Sequence, residues 1–216
     1  MENRGDLYAT HGLGPVAQCM NIHRGDRFTT LVAMATESFV GKELVENKTG
    51  EECAEFRNGD HTTTLMRTAR GRVVEIQHNV MTPQPYNRLF KLTGTKGYAT
   101  KYPIPELALT SEALRSSGAP QMDNLSGHSF MNHDQRDAIL NSYYHPILEK
   151  FGEIGREMGH GGMDYIMDAR LVYCLQNGLP LDMDVYDMAE WCCLAELGTL
   201  SMDNNSAAVA FPDFTR

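Results

Sequence analysis

Two alternating segments, Thr62 to Thr68 and Arg72 to Val80, are rich in threonine and valine and are separated only by Ala69-Arg70-Gly71. Alternation with a period of two places one set of side chains on one face of a strand, and so short a link, with glycine where the backbone must turn, joins only antiparallel neighbours. Antiparallel sheet is therefore predicted for the first half. Phe28 to Thr36, FTTLVAMAT, reads as a buried strand, Asn58-Gly59-Asp60 as the turn before the hairpin, and Arg88 to Tyr102 as a further pair of strands around Gly94 to Gly97. From Pro103 to Gly127, proline, serine and glycine among isolated apolar residues predict irregular chain.

The second half reads as helical. Between Asp134 and about Met158, Ile139, Tyr143, Ile147, Phe151 and Ile154 recur at steps of three and four, and Pro146 is expected to kink or split the segment. Met163 to Gln176 follows, with Asp164 in its first turn, Ile166, Ala169 and Val172 on one face, and Gly178 and Pro180 beyond its end. Asp184 to Leu197 has Asp184 as its cap, with Val185, Met188, Ala189 and Cys192 as the expected buried stripe. Ala207 to Phe211 reads as a last strand. With an opening helix from Thr10 or Gly12 to about Met20, the prediction is an α+β fold, an open, mainly antiparallel sheet with helices on one face.

In YATHGLGPVA, Gly12, Gly14 and Ala17 spell G-x-G-x-x-A, and Glu37 stands where a ribose-binding acid would follow. A dinucleotide turn must follow a buried parallel strand, however, and ENRGDLYAT supplies only Leu7 and Tyr8 as apolar residues there. Hairpins come next instead of alternating strands and helices, so a glycine-rich turn into a helix is the better reading. A net charge of −9 and scattered Lys and Arg, densest at Arg67, Arg70 and Arg72, argue against nucleic acid and for a neutral or cationic ligand. Five cysteines (Cys19, Cys53, Cys174, Cys192 and Cys193) without C-x-x-C form neither a disulfide framework nor a zinc site and are read as small buried hydrophobes. Asp182, Asp184, Asp187, Glu190 and Glu196 lack calcium-loop spacing and read as caps and solvated faces, so no metal site is expected. No apolar run approaches the ~18 residues of a membrane helix, and MENRGDLYATH has no export-type apolar region, which leaves the compartment open. A site-like motif within ten residues of Met1 leads to the expectation of a piece of a longer protein.

The segments LYATHGLGPVAQ, NIHRGDRF, FRNGDHTTTLMRT, QPYNRLFKLTGTKGYATKYP, GHGGMDYIMDARLVYCLQNGLPLDMDVYDMAEW and FPDFTR together resemble the C-terminal half of glycoside hydrolase family 109, typified by bacterial alpha-N-acetylgalactosaminidase, within the wider glucose-fructose oxidoreductase-like group. The resemblance implies a two-part parent. Its N-terminal Rossmann domain would hold NAD, and its C-terminal α+β domain, residues 1–216 here, would floor the sugar site with its open sheet and help form homo-oligomers. It implies a glycosidase for N-acetylgalactosamine-containing glycans that oxidises the sugar transiently at C3, eliminates the aglycone, adds water and returns the hydride. The chain alone, lacking the NAD domain, is expected to be inactive. A noncatalytic oligomerising or sugar-binding fragment, or part of an NAD(P)-dependent sugar dehydrogenase, are the alternatives.

That route needs a group able to take a proton from a sugar hydroxyl and give it back, work suited to an imidazole with a reference pKa of ~6.5. His11 is assigned this catalytic role. Tyr8, three residues earlier, matches a family active-site tyrosine and can donate to a sugar hydroxyl or a developing oxyanion. Tyr86 in TPQPYNR aligns with a family PRPYS-like segment, Gln84 replacing the arginine, and is assigned to substrate binding. His160, bared by Gly159, Gly161 and Gly162, is assigned there too; the alternative for GHGGMD is a tight interhelix turn with Asp164 as a first-turn acid. No residue is assigned to the cofactor.

Overall fold

The computed structural model describes residues 4–53 and 55–214 and divides into two units, residues 1–85 with 183–216 and residues 86–182. The first unit begins with α1 (Ala9–Cys19), β1 (Phe28–Ala35), α2 (Gly41–Thr49), β2 (His61–Thr68) and β3 (Val73–Asn79). The second contains β4 (Lys91–Thr93), β5 (Gly97–Thr100), β6 (Glu106–Leu109), α3 (Ser111–Arg115), α4 (His133–Ser142), α5 (Pro146–Gly155), a short 3-10 turn at Gly159–Gly162 and α6 (Met163–Asn177). The chain then returns to the first unit as α7 (Val185–Cys192), α8 (Leu194–Asp203) and β7 (Val209–Ala210). Thr215 and Arg216 of FPDFTR lie outside the described residues. No helix among the described residues is long and apolar enough to cross a membrane.

The first unit's sheet has the order β3-β2-β1-β7, antiparallel throughout. Its register sets Thr64 opposite both Ala33 and Ile76, which puts Leu31, Ala33, Met66, Val74 and Ile76 on one buried face. Met34, Leu65 and Val73 stand exposed on the other face. Helices cover only the buried side, as the predicted class requires. There α8 lays Leu194, Gly198, Ser201 and Met202 on the sheet at helical spacing. The short β7 pairs only with Thr30 and Leu31, and the Ala33 N–H beyond it donates to the buried Ser201 hydroxyl at 3.0 Å instead. Ser201 in turn donates to the Ala207 carbonyl at 2.7 Å.

Helix α1 contains the G-x-G-x-x-A glycines in its interior, and Pro15, expected in the opening turn, also lies inside it. A Cβ at Gly14 would stand 3.4 Å from the Trp191 ring, and one at Gly12 would stand 3.4 Å from Ile76. With no side chain at either glycine, α1 lies close to α7 and the sheet, and Leu13 is completely buried, a contribution of about 1.5–3 kcal/mol for such a side chain. The glycines make no turn toward a ligand.

The loop joining α1 to β1 carries NIHRGD, and each charged residue in it fastens a different neighbour. Arg24 donates twice to Asp187, at 2.9 and 2.7 Å. Asp26 accepts from the Arg70 amide and from the Arg72 guanidinium, both at 3.1 Å, tying the loop to the hairpin. His23 Nε2 lies 3.0 Å from Glu190 Oε2, with both side chains almost wholly buried. These partners correct the predicted stripe of α7. Val185 and Met188 are exposed, whereas Asp187, Glu190 and Trp191 are buried. The physical reason is that Asp187 is held by two hydrogen bonds from Arg24, while Glu190 is buried beside His23 with burial raising its proton affinity. Asp184 does cap α7, in a reciprocal box with Asp187. Of the cysteines, only Cys174 is buried; Cys19 and Cys192 are exposed and Cys53 and Cys193 are half-buried, a second correction.

In the second unit, β4, β5 and β6 form a three-stranded antiparallel sheet. Pro146 occupies the first turn of α5 and divides α4 from α5, as expected, with His145 accepting the Ile147 N–H at 3.1 Å. The stretch read as irregular contains β6 and α3, the latter capped by the Thr110 hydroxyl. Val172, placed on the apolar face of α6, is exposed.

Burial, reinforced by the nearby Asp187 charge, pushes the Glu190 carboxyl up to about 7 from 4.5. Between those values the folded protein holds a proton that the unfolded chain releases. The group's contribution to stability is therefore full at low pH and declines as pH rises from 4.5 to about 7. Denaturant unfolding of the wild type and Glu190→Gln across this range should show the wild type losing stability relative to the variant as pH rises. Parallel profiles would contradict the assignment.

Candidate functional site

Tyr8 and His11 come together as their three-residue separation on the first turn of a helix allows. Their rings stack with centroids 4.4 Å apart and planes 17° apart, and the Tyr8 hydroxyl lies 3.3 Å from His11 Nε2. Thr10 Oγ1 stands 3.5 Å from the other ring nitrogen. Both rings are exposed, Tyr8 by 59%. A phenol and an imidazole at hydrogen-bond distance can exchange a proton, and here the two face outward from a helix whose opposite side packs into the core.

Asp6, which the sequence reading did not single out, holds the start of this helix. Its buried carboxylate accepts the Tyr8 N–H at 3.2 Å. Burial raises its proton affinity, opposed by the charge of His78 on β3 and by the Tyr8 amide. The signal for it was an acid two residues before Tyr8, the spacing of a side chain that caps the following backbone.

The other two assigned residues lie in the second unit. Tyr86 is exposed; its hydroxyl accepts from Arg88 Nε in a short hydrogen bond, and the Arg88 guanidinium stands 5.6 Å from its ring centre. Tyr102 presents itself edge-on at 6.2 Å. His160 has left-handed backbone, φ 54°, and is followed by Gly161 and Gly162 with φ of 64° and 93°. A Cβ at Gly162 would fall 2.7 Å from the Gly155 backbone, so this glycine serves the crossing of α5 and α6. His160 Nδ1 meets Asp164 Oδ2 at 2.7 Å, leaving Nε2 outward. The hydrogen bond and charge of Asp164 raise the imidazole's proton affinity. GHGGMD thus forms a tight interhelix turn, with His160 exposed and oriented by Asp164.

A dinucleotide does not fit the one glycine motif that spells its fingerprint. Gly12 and Gly14 lie inside α1 and face Ile76 and Trp191, so their amides are spent within the helix and no cradle is open to a pyrophosphate.

The family model described as "Glycosyl hydrolase 109, C-terminal domain" matches residues 1–216. The chain is 80% identical over its whole length to glycosyl hydrolase family 109 protein 3 of Phocaeicola vulgatus, of which it covers 39%. It is 54% identical to glycosyl hydrolase family 109 protein 1 of Bacteroides thetaiotaomicron, covering all of this chain and 46% of that one. The chain thus spans less than half the length of these curated relatives. Among solved structures, an oxidoreductase domain protein from Kribbella flavida superposes with a TM-score of 0.54 at 12% identity, covering 95% of this chain and 51% of that one. Levoglucosan dehydrogenase in its apo form gives 0.53 at 15% identity, covering 95% and 50%. At such identities the structural likeness speaks for the fold alone.

Replacing Asp164 by Asn removes the charge that raises His160. The His160 ring resonances, followed by NMR against pH, should then titrate at a lower midpoint than in the wild type. An unmoved midpoint would show that the pair does not form in solution.

Proposed function

The chain belongs to the glycosyl hydrolase 109 family, matching its C-terminal domain over residues 1–216, and from that premise we propose that it is the sugar-facing half of a glycosidase acting on N-acetylgalactosamine-containing glycans. The observation that carries this reading is the exposed, stacked Tyr8–His11 pair at the start of a helix fixed in the core. NAD, which the family resemblance implies, would be bound by the part of the full-length proteins that this chain does not span, because the glycines here offer it no cradle. When bound, it would supply reversible hydride exchange with the sugar.

The residues of this chain have the complementary task. His11 accepts a proton from a sugar hydroxyl and later returns it, while Tyr8, 3.3 Å from Nε2, orients the ring and can hand its own proton to an oxygen gaining charge. Asp6 fixes the backbone from which both project. Tyr86, with its phenol already engaged by Arg88, and His160, with Nε2 outward, are assigned to substrate hydroxyls. The exposed sheet face bearing Met34, Leu65 and Val73 is assigned to association between copies, since an uncovered apolar sheet face is costly in water.

In a full-length relative, alanine at the position of His11 should lower turnover of a chromogenic N-acetylgalactosaminide by roughly 10²–10⁴-fold, the usual worth of a general acid–base group. Phenylalanine at the position of Tyr8 should cost less, because the stacked ring remains. Unchanged turnover in the alanine variant would defeat the assignment. Net accumulation of reduced cofactor with the wild type would replace the glycosidase by a sugar dehydrogenase.

A further inference from the structure

We propose that the cleft between the β4–β5 turn and residues 125–130 is a carbohydrate-binding subsite, which takes one neutral hexose or hexosamine unit against Phe130 and Tyr98. The cleft lies wholly within the second unit and contains none of the residues assigned above. Its volume is about 650 Å³, inside the ~300–1,000 Å³ usual for small-molecule clefts.

A pyranose has one face of C–H groups and a rim of hydroxyls. A site for it needs an aromatic surface, neutral donors and acceptors beside that surface, and no free charge to desolvate. Phe130 supplies the surface. It is 62% exposed, and its ring leans on Tyr98 at 6.0 Å between centroids with the planes 54° apart. Around it lie Thr93, Thr95, Ser129 and His128. Their side chains make no hydrogen bond to another described residue, whereas Thr110 and Ser126 in the same wall are already committed to the amides of Ala113 and His128. The cleft's one lysine, Lys96, is paired with Glu112 at 3.0 Å. A net charge of −9 further disfavours an anionic occupant.

The cleft is also braced before any ligand arrives. The Leu125 amide donates to Ser111 Oγ at 3.1 Å, and the Met131 amide donates to the Leu107 carbonyl at 2.8 Å, holding both ends of the segment that carries Phe130. Little ordering is then required on binding. A larger cleft of about 730 Å³ in the same unit differs in bearing several charged side chains, Lys150, Arg170 and Asp182, on its wall, the last two joined in a bidentate pair.

The choice of N-acetylgalactosamine as probe rests on the proposed glycosidase reading; the lining argument does not. Saturation-transfer NMR on the chain should be titrated with N-acetylgalactosamine, with a trisaccharide ending in it, and with lactose, for the wild type, Phe130→Ala, Phe130→Trp and His11→Ala. The expected result is binding of at least one sugar by the wild type, weakened roughly tenfold in Phe130→Ala, kept in Phe130→Trp, and still present at the cleft in His11→Ala. Equal binding by wild type and Phe130→Ala, or no binding of any of the three sugars, would overturn the subsite. Turnover by a full-length relative is measured separately: sugar binding that depends on Phe130 supports the subsite even if no glycoside is cleaved.

Discussion

The first unit is organised by the close approach of α1 to Trp191 and the β-sheet. Gly12 and Gly14 leave no side chain between the helix and its neighbours, and a Cβ at either would already touch Ile76 or the Trp191 ring at 3.4 Å. Anything longer than a Cβ would have to displace those neighbours, and interiors packed to crystal density do not yield readily, which fixes the helix's seat. Tyr8 and His11 inherit that position because they stand on its first turn. The motif that looks like a nucleotide cradle thus orients the side chains on the helix's other side.

The NIHRGD loop keeps the seat from shifting. Its anchors Arg24, His23 and Asp26 reach α7 twice and the hairpin once, each contact involving a buried carboxylate. Burial pushes Asp187 up, but the Arg24 hydrogen bond and the Asp184 amide outweigh it and leave the carboxyl below its ordinary value. Glu190 has no guanidinium and ends above its ordinary value. Two acids three residues apart on one helix face therefore shift in opposite directions, Asp187 downward through Arg24 and Glu190 upward through burial and the Asp187 charge.

Much of this was legible in the sequence where the signal was local. The hairpin announced itself through alternation and α5 through Pro146, while Tyr8 and His11 were singled out through the family resemblance. What escaped depended on distant partners. The buried face of α7 was misread because Asp187 and Glu190 look solvated until Arg24 and His23 are placed beside them. α2 was missed because its start is held by Asp60, whose carboxylate accepts the amides of Phe39, Val40 and Gly41. β6 was missed because only its ladder with β5 reveals it. Asp6 carried a local signal, its spacing to Tyr8, but its burial shows only in the folded chain.

Native-state hydrogen exchange along α1 tests the central claim most directly. If the helix is held in the core through its glycine face, the amides of Leu13, Gly14, Val16 and Ala17 should exchange as slowly as those of β1 and β2, opening only when the whole unit unfolds. Exchange at the rate of the exposed α2 amides would show a loosely docked helix, and the proton-exchanging pair would then have no fixed place from which to act.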